Sequence, residues 1–147
     1  MDGVDEGRKR VLLVDDEPAM RLLCTVNLPF SGFEVTEAGD GPTALAHVEQ
    51  EEFDLALLDV MMPGMSGFEL AERLRADRRT AGLPIVFLSA RADRRDMRRG
   101  FDLGAADYVT KPFDPIHLGE HLHAVLHAVA AGDVERFRRS RLGEAEE

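Results

Sequence analysis

The sequence predicts a doubly wound α/β fold: a five-stranded parallel sheet covered by five helices on its two faces. Two observations carry that expectation. Short apolar runs alternate five times with amphipathic stretches along the 147 residues, the pattern of repeated strand–helix crossover units. The runs are also almost continuously apolar, as strands buried on both faces must be, and right-handed crossovers leave few other arrangements.

The elements follow in order. "VLLV" (11–14) reads as the first strand, and residues 18–30 as a helix with Pro18 at its first turn. Pro29 removes a helix hydrogen bond and clashes with the preceding turn, so this helix is expected to stop or kink around Leu28. "FEVTEA" (33–38) is the second strand; a helix then starts at Gly41, with Pro42 suited to a first helical position. "DLALLDV" (54–60), a helix at 67–77, "PIVFLS" (84–89), a helix at 91–103, "ADYVT" (106–110) and a helix at 114–130 complete the alternation. In the last helix Leu118, Leu122, Val125 and Val129 recur at helical spacing and are expected to form its buried stripe. His117 and His121 flank that stripe, and His123 and His127 point away from it. Residues 1–8 read as an N-terminal tail, 9–130 as one domain, and 131–147 as a charged tail or linker stub.

With 44% hydrophobic residues, a chain of this length can bury one core. A formal charge of -10 argues against nucleic-acid binding, which needs a basic surface to neutralise phosphates. No segment approaches a membrane span or a signal peptide, so a cytoplasmic protein is expected. The single cysteine, Cys24, sits in an apolar helical pattern and suits a buried position in a reducing compartment.

The strand ends carry the chemistry, because ligands of such sheets bind beyond the carboxyl ends of the strands. The first strand ends on Asp15 and Asp16, the third on Asp59, the fourth on Ser89, and the fifth leads into Lys111 and Pro112. If the strand order is 2-1-3-4-5, the first and third strands are neighbours, and three carboxylates converge on one small volume. A divalent cation relieves their repulsion, and carboxylates with open positions suit a hard ion such as Mg2+. A plainer reading of "DDEP" is that the acids cap the following helix. Lys111 is one of only two lysines, Lys9 and Lys111, among 18 basic residues. An ammonium facing three acids, a hydroxyl and a metal describes a site for a phosphoryl group, with Asp59 as in-line nucleophile.

In this order and spacing, "VLLVDDEP", "DLALLDVMMPGMSGFEL", "PIVFLSA" and "GAADYVTKPF" closely resemble the receiver domains of two-component response regulators, over about residues 9 to 130. The resemblance implies a flavodoxin-like fold and a phosphorelay function: Asp59 accepts a phosphoryl group from a histidine of a sensor histidine kinase or a histidine phosphotransfer protein. It further implies that Asp15, Asp16 and Asp59 position Mg2+ together with the backbone carbonyl of Met61, and that Ser89 and Lys111 contact the phosphoryl oxygens. Tyr108 is implied as the aromatic that swings inward with Ser89, and Lys111-Pro112 as a cis bond. Such a domain is a signalling switch, not an enzyme beyond accepting and hydrolysing its own phosphoryl group. Its output is binding to a downstream protein through the face made by the fourth helix, fifth strand and fifth helix.

Some features depart from that pattern. Ala106 stands where receivers of winged-helix regulators usually carry an acid, and the fifth helix lacks their arginine, which puts dimerisation of that kind in doubt. Arg91, Arg94, Arg95, Arg98 and Arg99 make the fourth helix basic, either as a solvated face or as a dock for an acidic partner. Met61, Met62 and Met65 are expected to pack around the loop after Asp59, with Gly67 admitting the next helix closely. Two rival functions follow from the same residues. One is an interaction module that works without phosphate. The other is an enzyme on the same sheet, a flavin carrier or a phosphatase; the acidic first loop opposes flavin phosphate binding, and Met61 occupies the place of the second acid that an aspartyl phosphatase needs.

Overall fold

Alternation along each strand sends successive side chains to opposite faces of the sheet, and this splits the apolar residues into two cores. The structure, a computed structural model, describes residues 7–90 and 93–139. Five parallel strands, β1 (Lys9–Val14), β2 (Phe33–Ala38), β3 (Leu55–Asp59), β4 (Ile85–Ser89) and β5 (Asp107–Thr110), pair in the order β2-β1-β3-β4-β5. Leu12, Val14, Ala56, Leu58, Ile85, Phe87 and Tyr108 pack in one core with residues of α2 (Gly41–Gln50), α3 (Gly67–Ala76) and α4 (Arg94–Asp102). Val11, Leu13, Leu55, Leu57, Val86 and Leu88 pack in the other with Cys24 of α1 (Pro18–Asn27) and Leu118, Leu122 and Val125 of α5 (Pro115–Ala131). The expected fold and strand order are present. Cys24 is buried as expected, and burial pushes its thiol up to about 12.

Pro29 acts where the sequence places it: α1 ends at Asn27, and a 3-10 helix, Leu28–Ser31, carries the proline to Gly32, whose φ of 92° closes the turn. The fold therefore has a sixth, 3-10 helix beyond the five expected. The fourth helix starts at Arg94 rather than 91, because Asp93 is its cap and accepts the Asp96 amide at 2.8 Å.

One expectation for α5 is corrected. Val129 is 38% exposed, and Ala128 is the last buried residue of the helix. At 17 residues the helix is about 25 Å long, whereas strands of four to six residues span roughly 13 to 20 Å. Its last turn therefore outreaches the sheet. Leu122→Ala is expected to cost about 2 to 5 kcal/mol, whereas Val129→Ser should stay within about 0.5 kcal/mol of the wild type; urea denaturation midpoints check both. His123 is exposed, away from the buried stripe as expected, and it is also held in place. Its ring stacks on Phe33, with centroids 4.5 Å apart, and its Nε2 donates to the Ser31 carbonyl. A Cβ on Gly119 would lie 2.3 Å from Ser31 Oγ, so the absence of a side chain there lets α5 lie close on the 3-10 helix.

Past Gly132, which caps α5 with a φ of 76°, residues 134–139 form another helical turn. Val134 and Phe137 pack against the α1–α5 core, and Arg138 donates to the Phe101 carbonyl near the end of α4. The first part of the charged tail is thus docked on the domain.

Candidate functional site

Parallel registry brings the polar strand ends to one edge in steps. Val14 pairs with Leu58, so the next residues, Asp15 and Asp59, are neighbours. Asp59 pairs with Leu88, which puts Ser89 one step on, and Ser89 pairs with Thr110, which puts Lys111 after it. The Lys111 amide donates to the Ser89 carbonyl at 2.8 Å, and the Lys111-Pro112 bond is cis.

Asp15, Asp16 and Asp59 each offer a carboxylate oxygen within 4.8 Å of the other two. Among the described residues, theirs is the only such group of three or more histidines, cysteines or acids. Asp15 and Asp59 are buried and Asp16 is half-buried. Lys111 Nζ lies 2.8 Å from Asp15 Oδ2, 3.2 Å from Glu17 Oε1 and 3.5 Å from Asp59 Oδ1. The acids do not cap α1 with their side chains: the helix begins at Pro18, Glu17 at the N-cap position makes no side-chain cap, and Asp15 Oδ1 instead accepts the Glu17 amide at 2.9 Å within the loop.

The charges do not balance. Burial, then the charge of Asp15 and a hydrogen bond with Asp16, push the Asp59 carboxyl up to about 7, against the Lys111 charge and the Met61 amide. Burial works against the Lys111 ammonium, but the hydrogen bond and charge of Asp15, with Asp59 and Glu17, outweigh it and hold that group above its ordinary value. One lysine is thus too little positive charge for this many acids. Lys111→Met removes an opposing charge, so the Asp59 carboxyl should titrate at still higher pH, measured by carboxyl NMR through a pH series.

Ser89 is fully buried at the end of β4, and Tyr108 lies inward at 1% exposure, its ring 6.2 Å from that of Phe87. A Cβ on Gly100 would come within 3.0 Å of Phe87 and 3.2 Å of Tyr108, so α4 rests directly on these two rings. Of the loop methionines, Met62 is buried and Met65 packs on the core, but the Met61 side chain is 53% exposed, contrary to the expected packing. Arg94, Arg95, Arg98 and Arg99 lie on the exposed side of α4, with the Arg99 guanidinium 4.5 Å over the Phe68 ring. Arg91 lies outside the described residues.

Sequence reasoning missed two polar residues at the site and one at the opposite end of β5. Glu17, visible as a third acid in "DDE", shares Lys111. Arg21 donates to the Asp15 carbonyl at 2.8 Å, and no sequence spacing announces it. On the α5 side of β5, buried Asp107 accepts the Tyr108 amide and meets His121 Nε2 at 3.2 Å.

An acid cluster at the carboxyl edge of a doubly wound parallel sheet, faced by one lysine, marks a flavodoxin-like α/β protein with a charged strand-end site. The chain belongs to the response regulator receiver domain family of two-component systems, whose model matches residues 11–123. It is 42% identical over 127 residues to the phosphate regulon transcriptional regulatory protein PhoB of Pseudomonas aeruginosa, covering 86% of this chain and 56% of that protein. It is 41% identical over 140 residues to the DNA-binding response regulator MtrA of Mycolicibacterium smegmatis, covering 90% and 60%. Among solved structures, chemotaxis protein CheY4 of Vibrio cholerae superposes with a TM-score of 0.77 at 34% identity, covering 80% of this chain and 98% of that one. The chain spans about half the length of the curated relatives it matches. These include proteins named as DNA-binding, so the acidic charge of this chain does not support the expected absence of a nucleic-acid partner. No helix among the described residues is long and apolar enough to cross a membrane.

Proposed function

We propose that this chain, over residues 9–130, is a phosphoacceptor switch in which Asp59 takes a phosphoryl group from a histidine of a sensor histidine kinase or phosphotransfer protein. The observation that carries this reading is the convergence of Asp15, Asp16 and Asp59 within 4.8 Å beside Lys111. An all-oxygen, under-neutralised donor set fits a hard divalent cation. Asp15, Asp16 and Asp59, with the Met61 backbone carbonyl, would hold Mg2+, which supplies neutralising charge for the phosphoryl oxygens when bound.

The chain's own groups then have distinct tasks. An Asp59 carboxylate oxygen forms the bond to phosphorus in line with the breaking phosphorus–nitrogen bond, whose electron pair returns to the donor imidazole. Lys111 exchanges part of its contact with the acids for a phosphoryl oxygen, and the Ser89 hydroxyl donates to another. The added charge of about -1.5 to -2 draws Ser89 and its loop toward Asp59. Because α4 rests on Phe87 and Tyr108, that movement is passed to the α4–β5–α5 face, where a downstream protein reads it. The domain acts in the cytoplasm and is no enzyme beyond accepting and hydrolysing its own phosphoryl group.

The test uses the full chain. Mg2+ with beryllium fluoride should change the emission of Tyr108, the one tyrosine in a chain without tryptophan, and Mg2+ with acetyl phosphate should add one phosphoryl mass to the peptide bearing Asp59. Wild-type protein that gains no mass and shows no emission change would leave only an interaction module.

A further inference from the structure

We infer that Arg21 is a positioning residue for the acid pair: its guanidinium forks between the Asp15 backbone and Glu37 and so fixes the loop from which Asp15 and Asp16 reach the site. This rests on the reading of that site as a Mg2+-assisted phosphoacceptor. Arg21 Nη1 donates to the Asp15 carbonyl at 2.8 Å and its Nε donates to Glu37 Oε1, near the end of β2, at 2.9 Å. Its own amide donates to the Glu17 carbonyl at 3.1 Å. One residue therefore holds both ends of the 15–17 segment, against a neighbouring strand that is itself tied down by the Asp15 amide on the Ala38 carbonyl at 3.1 Å.

The loop needs such a hold. No side chain caps α1. Lys111 ties the side chains of Asp15 and Glu17, and the Glu17 amide ties the Asp15 side chain, but Lys111 must share itself with a phosphoryl group in the proposed reaction. Gly39 leaves the space for the fork, since a Cβ there would sit 3.2 Å from Arg21 Nη1. The planar guanidinium reaches a carbonyl and a carboxylate at once, which the point charge of lysine does not.

The sign of one measurement separates this role from a mere nearby charge. As a bystander cation, Arg21 opposes Mg2+ uptake, and its removal tightens binding. As a positioning residue it pre-arranges the oxygens, and its removal weakens binding. With Mg2+ alone as probe, followed by calorimetry on the full chain, R21A is expected to weaken affinity about tenfold, the size seen when partners of metal ligands are removed. R21K, which keeps the charge and loses the fork, should weaken it as well. E37A should weaken it less, and should add nothing in the R21A background. Unchanged or tighter binding by R21A, or wild-type affinity in R21K, overturns the inference; if R21A does not fold, R21K and E37A decide it.

A second arm needs no metal. Hydrogen exchange of the Glu17 amide, measured by NMR, should be faster in R21K and R21A than in the wild type, and equal rates overturn the inference. Absence of Mg2+ uptake by the wild type itself would instead remove the proposed function, while the amide measurement still decides what Arg21 holds.

Discussion

Asp59→Asn is expected to leave the chain unable to take up a phosphoryl group and, without metal at pH 8, to make it more stable than the wild type. The first effect follows from chemistry: a neutral amide oxygen is a poor nucleophile where a carboxylate is required. The second follows from linkage. The folded-state carboxyl titrates at about 7, above its ordinary value of 3.8, because it is buried beside Asp15. Between those values the folded protein binds a proton that the unfolded chain has released. The associated stability is fully present below about pH 4 and is lost as pH rises through about 7, on the order of a few kcal/mol. The asparagine side chain is neutral throughout and keeps the shape, so the variant escapes that loss. Urea midpoints in the presence of a chelator at about pH 5 and pH 8 should show the wild type falling further behind at the higher pH. A variant that is less stable at pH 8, or that still gains phosphoryl mass, contradicts the site as described.

Gly67→Ala is expected to be severely destabilising although it adds one methyl group. A Cβ at position 67 would lie 2.1 Å from the Asp59 carbonyl oxygen and 2.9 Å from Val60 Cα. Neither side can yield easily. β3 is flanked by β1 and β4, and the start of α3 is locked by a reciprocal cap in which Ser66 Oγ accepts the Glu69 amide at 3.1 Å and Glu69 Oε1 accepts the Ser66 amide at 3.0 Å. A cost above about 3 kcal/mol is expected, at the upper end for overpacking, together with slower phosphoryl uptake as the end of β3 is displaced. A Cβ on Gly82 would meet nothing within 4 Å, so Gly82→Ala should stay within about 0.5 kcal/mol of the wild type. Equal denaturation midpoints for the two variants would show that the contact at Gly67 is relieved at little cost.

The sequence displayed most of this site because its residues sit at the ends of apolar runs, and a parallel sheet lines such ends up on one edge. Asp15, Asp59, Ser89 and Lys111 are therefore legible one strand at a time, and Pro29 announces the break in α1 through its own covalent geometry. Burial in the last turn of α5 was not legible: Val129 continues the apolar spacing, and only the length of the helix against the sheet exposes it.

By itself, then, the amino-acid order determined where strands and helices alternate, that the sheet is parallel, and which polar groups end its strands, because these depend on local periodicity, chirality and single residues. Tertiary structure alone decided that Arg21 bridges Asp15 and Glu37, that His121 meets Asp107, and that His123 lies on Phe33. Those contacts join residues from different elements, and their distances depend on how closely helices lie on the sheet. No periodic pattern in the chain records that closeness.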